Sequence, residues 1–172
     1  MMDTMEKTKI TPEEYKRLKA EVIDKIVVAR VGLLLRHPFF GNMATRLQIK
    51  ECDEWCPTAA TDGRNLFYNV DFFSKLSNKE IEFVIAHEIL HCVFDHMTRR
   101  EDRDPQLHNI ACDYIVNNTL CRDNIGEKPK DIQIFQDWKY DGWTSEAVYD
   151  DIYKQGKEKM EQLGKLLDEH ID

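Results

Sequence analysis

His87, Glu88 and His91 are the residues of this chain best spaced to do chemistry together, in the run His87-Glu88-Ile89-Leu90-His91. On a helix, two imidazoles four residues apart differ by about 40° of rotation and roughly 6 Å of rise, so their nitrogens can converge on one small cation. Glu88 follows the first histidine and points to the side, where it can reach a metal-ligating water without itself ligating. Two neutral nitrogen ligands, a base and room for water are what a zinc hydrolase needs. The expectation is therefore Zn2+ held by His87 and His91, with Glu88 as general base.

A third protein ligand is required, and two residues compete for the place. Asp113 lies in the mostly apolar segment Asn109-Ile110-Ala111-Cys112-Asp113-Tyr114-Ile115-Val116-Asn117. Asn109, Asp113 and Asn117 fall at i, i+4 and i+8, a polar stripe on one helical face. A carboxylate in so apolar a helix needs a partner, and a metal ion is a good one. His96 is the alternative. It lies five residues past His91, about 140° away on a continuing helix, and reaches a shared metal only if the helix breaks early. Asn109, Asn117 and Asp95 are expected to hold the ligands in place, Asp95 by accepting the free N–H of His91. Tyr68, Tyr114 and Tyr140 are open candidates for stabilising an oxyanion. His37 and His108 have no such geometry and read as structural or surface residues.

The elements that must position these groups are legible around them. Ser77-Asn78-Lys79-Glu80 is a capping box, and it opens a helix expected to run from about Asn78 to Thr98. Ile81, Val84, Ile85, Ile89, Cys92 and Val93 make that helix apolar over a wide arc, so a His-Glu pair inside it is costly unless something satisfies it. Pro105 starts the next helix, expected to reach about Cys121, and the charged run Arg99 to Asp104 before it reads as a solvated loop. Thr11-Pro12-Glu13-Glu14 begins an N-terminal helix ending near Leu35, with Tyr15, Leu18, Val22, Ile26, Ala29 and Leu33 on its apolar face. Residues 42–70 read as strands and turns. Leu47 to Lys50 alternates, Asp62-Gly63 is a turn, and Thr58 to Asn69 forms a hairpin or an edge strand. Leu66, Phe67 and Tyr68 are expected to bind an extended peptide by edge pairing. Asp71 to Leu76 is a short helical turn. Thr144-Ser145-Glu146 opens a last helix.

Composition narrows the class. At 172 residues the chain is long enough for one domain with a real core. The formal charge of −8 argues against a nucleic-acid footprint, which would need clustered Lys and Arg. Apolar runs such as Ile26 to Ala29 are too short to span a bilayer, and Met1 to Lys7 shows no apolar stretch, so no signal peptide is expected. Five cysteines, an odd number, fit free thiols in a reducing compartment, so a cytoplasmic location is expected. Cys52 and Cys56 read as structural thiols rather than half of a second zinc site. Residues 1–155 are expected to form the domain. Residues 156–172 read as a charged amphipathic helical extension, whose Met160, Leu163, Leu166 and Leu167 could form a homodimer seam.

Taken together, Thr61-Asp62-Gly63-Arg64, Leu66-Phe67-Tyr68-Asn69, Val84 to His91, His96, Arg100, Asp104-Pro105, Asn109 to Asn117 and the closing Tyr140 to Tyr149 resemble a family known as the "putative metallopeptidase domain" of bacterial and phage proteins. The resemblance spans roughly Lys19 to Ile152. It implies a zincin-like fold of the α+β class, mostly helical, with a small mixed or antiparallel sheet and an active-site helix carrying the H-E-x-x-H. It also implies a zinc peptidase activity, and it keeps His96 as a site member. In that family the domain usually precedes a von Willebrand A-like module. This chain ends where such a module would begin, so a stand-alone short form or a truncated form is expected.

Two functions from different classes follow. The first is a zinc-dependent metallopeptidase acting on a protein or peptide, in the host cytoplasm if phage-encoded. The second is a catalytically silent, zinc-stabilised protein-binding module. An intact Glu88 favours the first, because a structural site needs no base and closes with four protein ligands. A deaminase-like hydrolase would pair H-x-E with P-C-x-x-C, which is absent.

Overall fold

Thr11 caps the first helix, accepting from the Glu14 amide at 3.1 Å, and Pro12 occupies the first helical position. The computed structural model describes residues 10–94 and 96–156, Met97 and Thr98 by their backbone alone. The element order is α1 (Pro12–Arg36), α2 (Pro38–Arg46), β1 (Gln48–Glu51), β2 (Ala59–Thr61), β3 (Asn65–Tyr68), α3 (Val70–Ser74), α4 (Asn78–Val93), α5 (His96–Arg99), α6 (Pro105–Arg122), a 3-10 turn (Trp138–Tyr140) and α7 (Ser145–Tyr153). Helices dominate around a three-stranded mixed sheet, so the chain is α+β. The expected dimer seam, Met160 to Leu167, lies outside the described residues. Among the described residues no helix is long and apolar enough to cross a membrane.

Pro38 stops α1 and also starts α2. It forces His37 out of the helical region, then sits at the first position of a new helix, where its missing N–H costs nothing. Residues 42–46 are therefore helical, not the strand and turn expected from sequence. Gly41 allows this sharp corner, because a Cβ there would run into the backbone of Leu34. Arg36, at the end of α1, pairs with the buried Glu82 of α4.

β3 is the central strand. It pairs in parallel with β1 and antiparallel with β2, in the order β1-β3-β2. Thr58 to Asn69 is thus a hairpin, as one of the two alternatives had it. Leu66, Phe67 and Tyr68, however, have hydrogen-bonded neighbours on both sides and offer no open edge to a peptide. The outer strands are β1 and β2, and β2 packs against α4. The reason is long-range: β1 returns to cover the side of β3 that a local hairpin would leave bare.

The main core is built from Val22, Ile26, Ala29 and Leu33 of α1, Leu66 and Tyr68 of the sheet, Ile81, Val84 and Ile85 of α4, and Val116 and Leu120 of α6. A second cluster under α6 joins Leu107, Ile110 and Ala111 to Phe135, Tyr140, Val148 and Ile152. Between them runs the irregular segment 123–137. Glu80 pins it: one carboxylate oxygen closes the capping box on the Ser77 amide at 2.9 Å, and the other accepts from the Lys130 amide at 2.7 Å. Gly126 lets the same segment approach α4. Its φ is +63°, and a Cβ would lie 2.6 Å from the Lys79 carbonyl oxygen and the Phe83 amide nitrogen. Gly126→Ala is expected to destabilise the fold by about 2 kcal/mol or more, read as a lower urea midpoint.

Candidate metal centre

Helices α4 and α6 pack side by side, and each contributes polar side chains to an otherwise apolar contact. α4 begins at the Ser77 capping box and carries the H-E-x-x-H. α6 begins at Asp104, whose side chain accepts from the Leu107 amide at 2.8 Å, with Pro105 at its first position. His87, Glu88 and Asp113 are buried, and His91 is half-buried. His87 Nε2 and His91 Nε2 are 3.0 Å apart, His91 Nε2 and Asp113 Oδ1 3.0 Å, and His87 Nε2 and Asp113 Oδ1 3.3 Å.

That triangle fits a metal ion. Ligand atoms at zinc distances of about 2.0–2.1 Å in a tetrahedral site lie about 3.3 Å from one another. Three potential lone-pair donors this close repel unless a proton or a cation sits among them. His87, His91 and Asp113 are the group of ligand-type residues among those described that could hold a metal ion. Zinc suits a set of two imidazoles and one carboxylate, with one position left for water. A cavity of about 20 Å³, lined in part by His87, Asp113 and Asn117, adjoins the triangle and is large enough for one water.

The electrostatics follow from the crowding. Burial works to lower the His87 pKa, but the Asp113 carboxylate outweighs it and lifts the value to about 9. Burial pushes His91 down, against the pull of Asp113 and with the help of His87. Burial also works to raise Asp113, yet its close contacts with both imidazoles, His87 first, hold it below the usual carboxylate range.

Two neighbours orient the imidazoles. Asn117 Nδ2 donates to the Phe135 carbonyl at 2.9 Å, so its Oδ1 must face His87. His87 Nδ1 lies 2.8 Å from that oxygen and therefore donates to it, so Nε2, which faces Asp113, is the nitrogen that would give up its proton to a metal. His91 Nδ1 lies 3.1 Å from His96 Nδ1. With His91 donating there, its Nε2 is likewise free for a metal. Burial drives the His96 pKa down to about 3, which keeps that ring neutral and able to accept.

His96 reaches this place because α4 ends early. The helix stops at Val93 rather than Thr98, and Arg99 reaches back to the Phe94 carbonyl at 3.3 Å while its Nε donates to Glu146 of α7 at 3.0 Å. Arg99 and Asp104 thus tie down a segment that reads from sequence as a solvated loop. The chain then brings His96 back against His91, without placing it in the ligand triangle. His108 donates from Nε2 to the His96 carbonyl at 2.7 Å and steadies the turn. Nothing in local sequence patterning points to the His91–His96 contact or to the Phe135 carbonyl.

The remaining sequence candidates are placed as follows. Asn109 sits one turn before Asp113 and makes no side-chain hydrogen bond among the described residues. Asp95 lies outside them. Tyr140 donates to Asp151 at 2.7 Å, Tyr114 packs on Phe135, and Tyr68 is buried in the sheet against Phe73. Cys52 and Cys56 face each other in one turn, where Cys52 Sγ lies 3.6 Å from the Cys56 carbonyl. All five cysteines are free.

Asp113→Ala and His87→Ala are each expected to lower zinc affinity by at least about tenfold, and His96→Phe or Asn117→Ala by about 10–100-fold. His96→Gln, which keeps an acceptor for His91, is expected to retain most of it. Competitive titration against a chromophoric chelator measures each value.

Comparison with known proteins places this centre in a family. A family model described as "Putative metallopeptidase domain" matches residues 23–170, which include α4, α6 and all three residues of the triangle. No curated protein and no solved structure gives a match. With most of its length covered by that model, the chain belongs to this metallopeptidase-domain family.

Proposed function

We propose that this domain is a zinc-dependent peptidase in which His87, His91 and Asp113 hold the metal and Glu88 is the general base. The observation that carries the proposal is the triangle of ligand atoms, 3.0, 3.0 and 3.3 Å on its sides, with Glu88 next in sequence to one of its corners. A zinc ion held there would supply a Lewis acid able to acidify a water and polarise a carbonyl.

The chain's own residues do the rest. Glu88 takes a proton from the attacking water and delivers it to the leaving amide nitrogen. Asn117 and His96 hold the two imidazoles in the tautomer that ligates. Burial of His87, Glu88 and Asp113 keeps bulk water from screening these charges. The outer strand β2 offers an extended peptide main-chain pairing beside α4. His96 stands outside the triangle, so His87, His91 and Asp113 leave a coordination position for water. That distinguishes a hydrolytic site from a purely structural one.

Glu88→Gln tests this reading. It is expected to retain zinc and to lose about 100-fold or more of any hydrolysis detected in a proteome-wide cleavage screen. Full activity in Glu88→Gln would sink the peptidase assignment. Stripping the wild-type protein with a chelator is expected to abolish cleavage, and adding zinc back to restore it.

A further inference from the structure

The turn Thr61-Asp62-Gly63-Arg64 belongs to the sequence signature, yet the metal centre makes no use of it. Asp62 is consumed within the turn. Its Oδ1 accepts from the amides of Arg64 at 2.9 Å and Asn65 at 2.8 Å, and its Oδ2 from Asn65 Nδ2 at 2.9 Å. The Asn65 side chain, followed by those two amides, holds the carboxyl down to about 2. Gly63 takes φ +90°, and a Cβ on it would meet nothing, so the backbone conformation alone calls for glycine. The turn is a clasp, and the group it presents is Arg64.

Arg64 lines an open cleft of about 480 Å³ together with Arg46 from the end of α2 and Lys50 from β1. Gln48, Gly63 and Asn65 complete the wall, and among the described residues no acidic side chain lines it. None of the three cations makes an ion pair among the described residues, and what sets them apart is that all three line one cleft. Three cations sharing one concave surface without a counter-charge repel each other, and an anion relieves that repulsion.

We propose that this cleft binds the carboxylates of an acidic polypeptide segment and, resting on the peptidase reading, serves as a recruiting site for the protein substrate. Guanidinium forks take carboxylates two bonds at a time, and Lys50 adds a point charge. The surroundings favour a peptide over a nucleic acid. Three cations in one short cleft match a few carboxylates, whereas a long phosphate backbone calls for an extended basic face. The cleft also lies close to the motif helix in the fold: β2, which ends at Thr61 just before the clasp, packs against α4.

The test uses the whole chain, zinc-loaded and carrying Glu88→Gln, so that binding is read without turnover. The probes are fluorescein-labelled hexaglutamate, hexalysine, a glycine-serine hexapeptide, inorganic phosphate and an oligothymidylate. Hexaglutamate is expected to bind with an affinity that falls steeply with salt. The triple variant Arg46→Glu/Lys50→Glu/Arg64→Glu is expected to weaken that binding by about tenfold or more, with circular dichroism and zinc content unchanged. Arg64→Lys, which keeps charge but loses the fork, is expected to fall between. Equal binding by the triple variant, equal binding of the neutral peptide, tighter binding of the oligothymidylate, or binding of phosphate alone would each overturn the proposal. The two readings fail separately: cleavage that survives Glu88→Gln removes the peptidase but leaves the cleft, and loss of hexaglutamate binding removes the cleft but leaves the peptidase.

Discussion

Two imidazole nitrogens and a carboxylate oxygen stand within 3.3 Å of one another between two packed helices. The surrounding structure is organised to tolerate that crowding. Without a metal, a proton shared between His87 and Asp113 is what holds these polar atoms together at a largely apolar contact. With a divalent cation, the same atoms become satisfied ligands, and the cation's binding energy adds to the stability of the helix pair that supplies them.

Several features far from the triangle acquire a purpose in that light. Glu80 closes a capping box and also anchors the segment 123–137. That segment carries the Phe135 carbonyl, which turns the Asn117 amide, which in turn fixes the proton on His87. On the other side, the Arg99–Glu146 pair and the His108 bond fold the chain after α4 so that His96 meets His91. Each imidazole thus has its tautomer set by a group held from a different part of the fold. The helices bring the nitrogens together, and the irregular segments decide which face of each ring is basic.

This division explains what could be read in advance. The two ligand histidine positions and the Asn109-Asp113-Asn117 stripe are helical periodicities, local in sequence, and the caps at Thr11, Ser77 and Thr144 mark helix starts by residue type alone. The early end of α4 depends instead on Arg99 finding Glu146 forty-seven residues away. The helical restart at Pro38 was hidden because proline signals a stop and a start with the same residue. The central place of β3 depends on parallel pairing with β1, a contact that leaves no trace in the alternation of either strand. Asn117 was legible as a supporting residue, but the carbonyl that orients it lies in a stretch without periodicity.

The choice of aspartate as the third corner has an electrostatic consequence. On the proposed reading, two neutral imidazoles and one carboxylate would reduce a divalent cation to a single positive charge, and an ionised Glu88, next in sequence to His87, would bring the local sum to zero. A third histidine would leave a net positive charge in the same buried space, and a second ligating carboxylate would leave a net negative one. Desolvation penalties rise steeply with net buried charge, so the neutral combination is the least costly one that still retains a base. Asp113 can serve this way because the two imidazoles already hold its carboxyl below the usual range. It therefore arrives ionised at the position where its charge is needed.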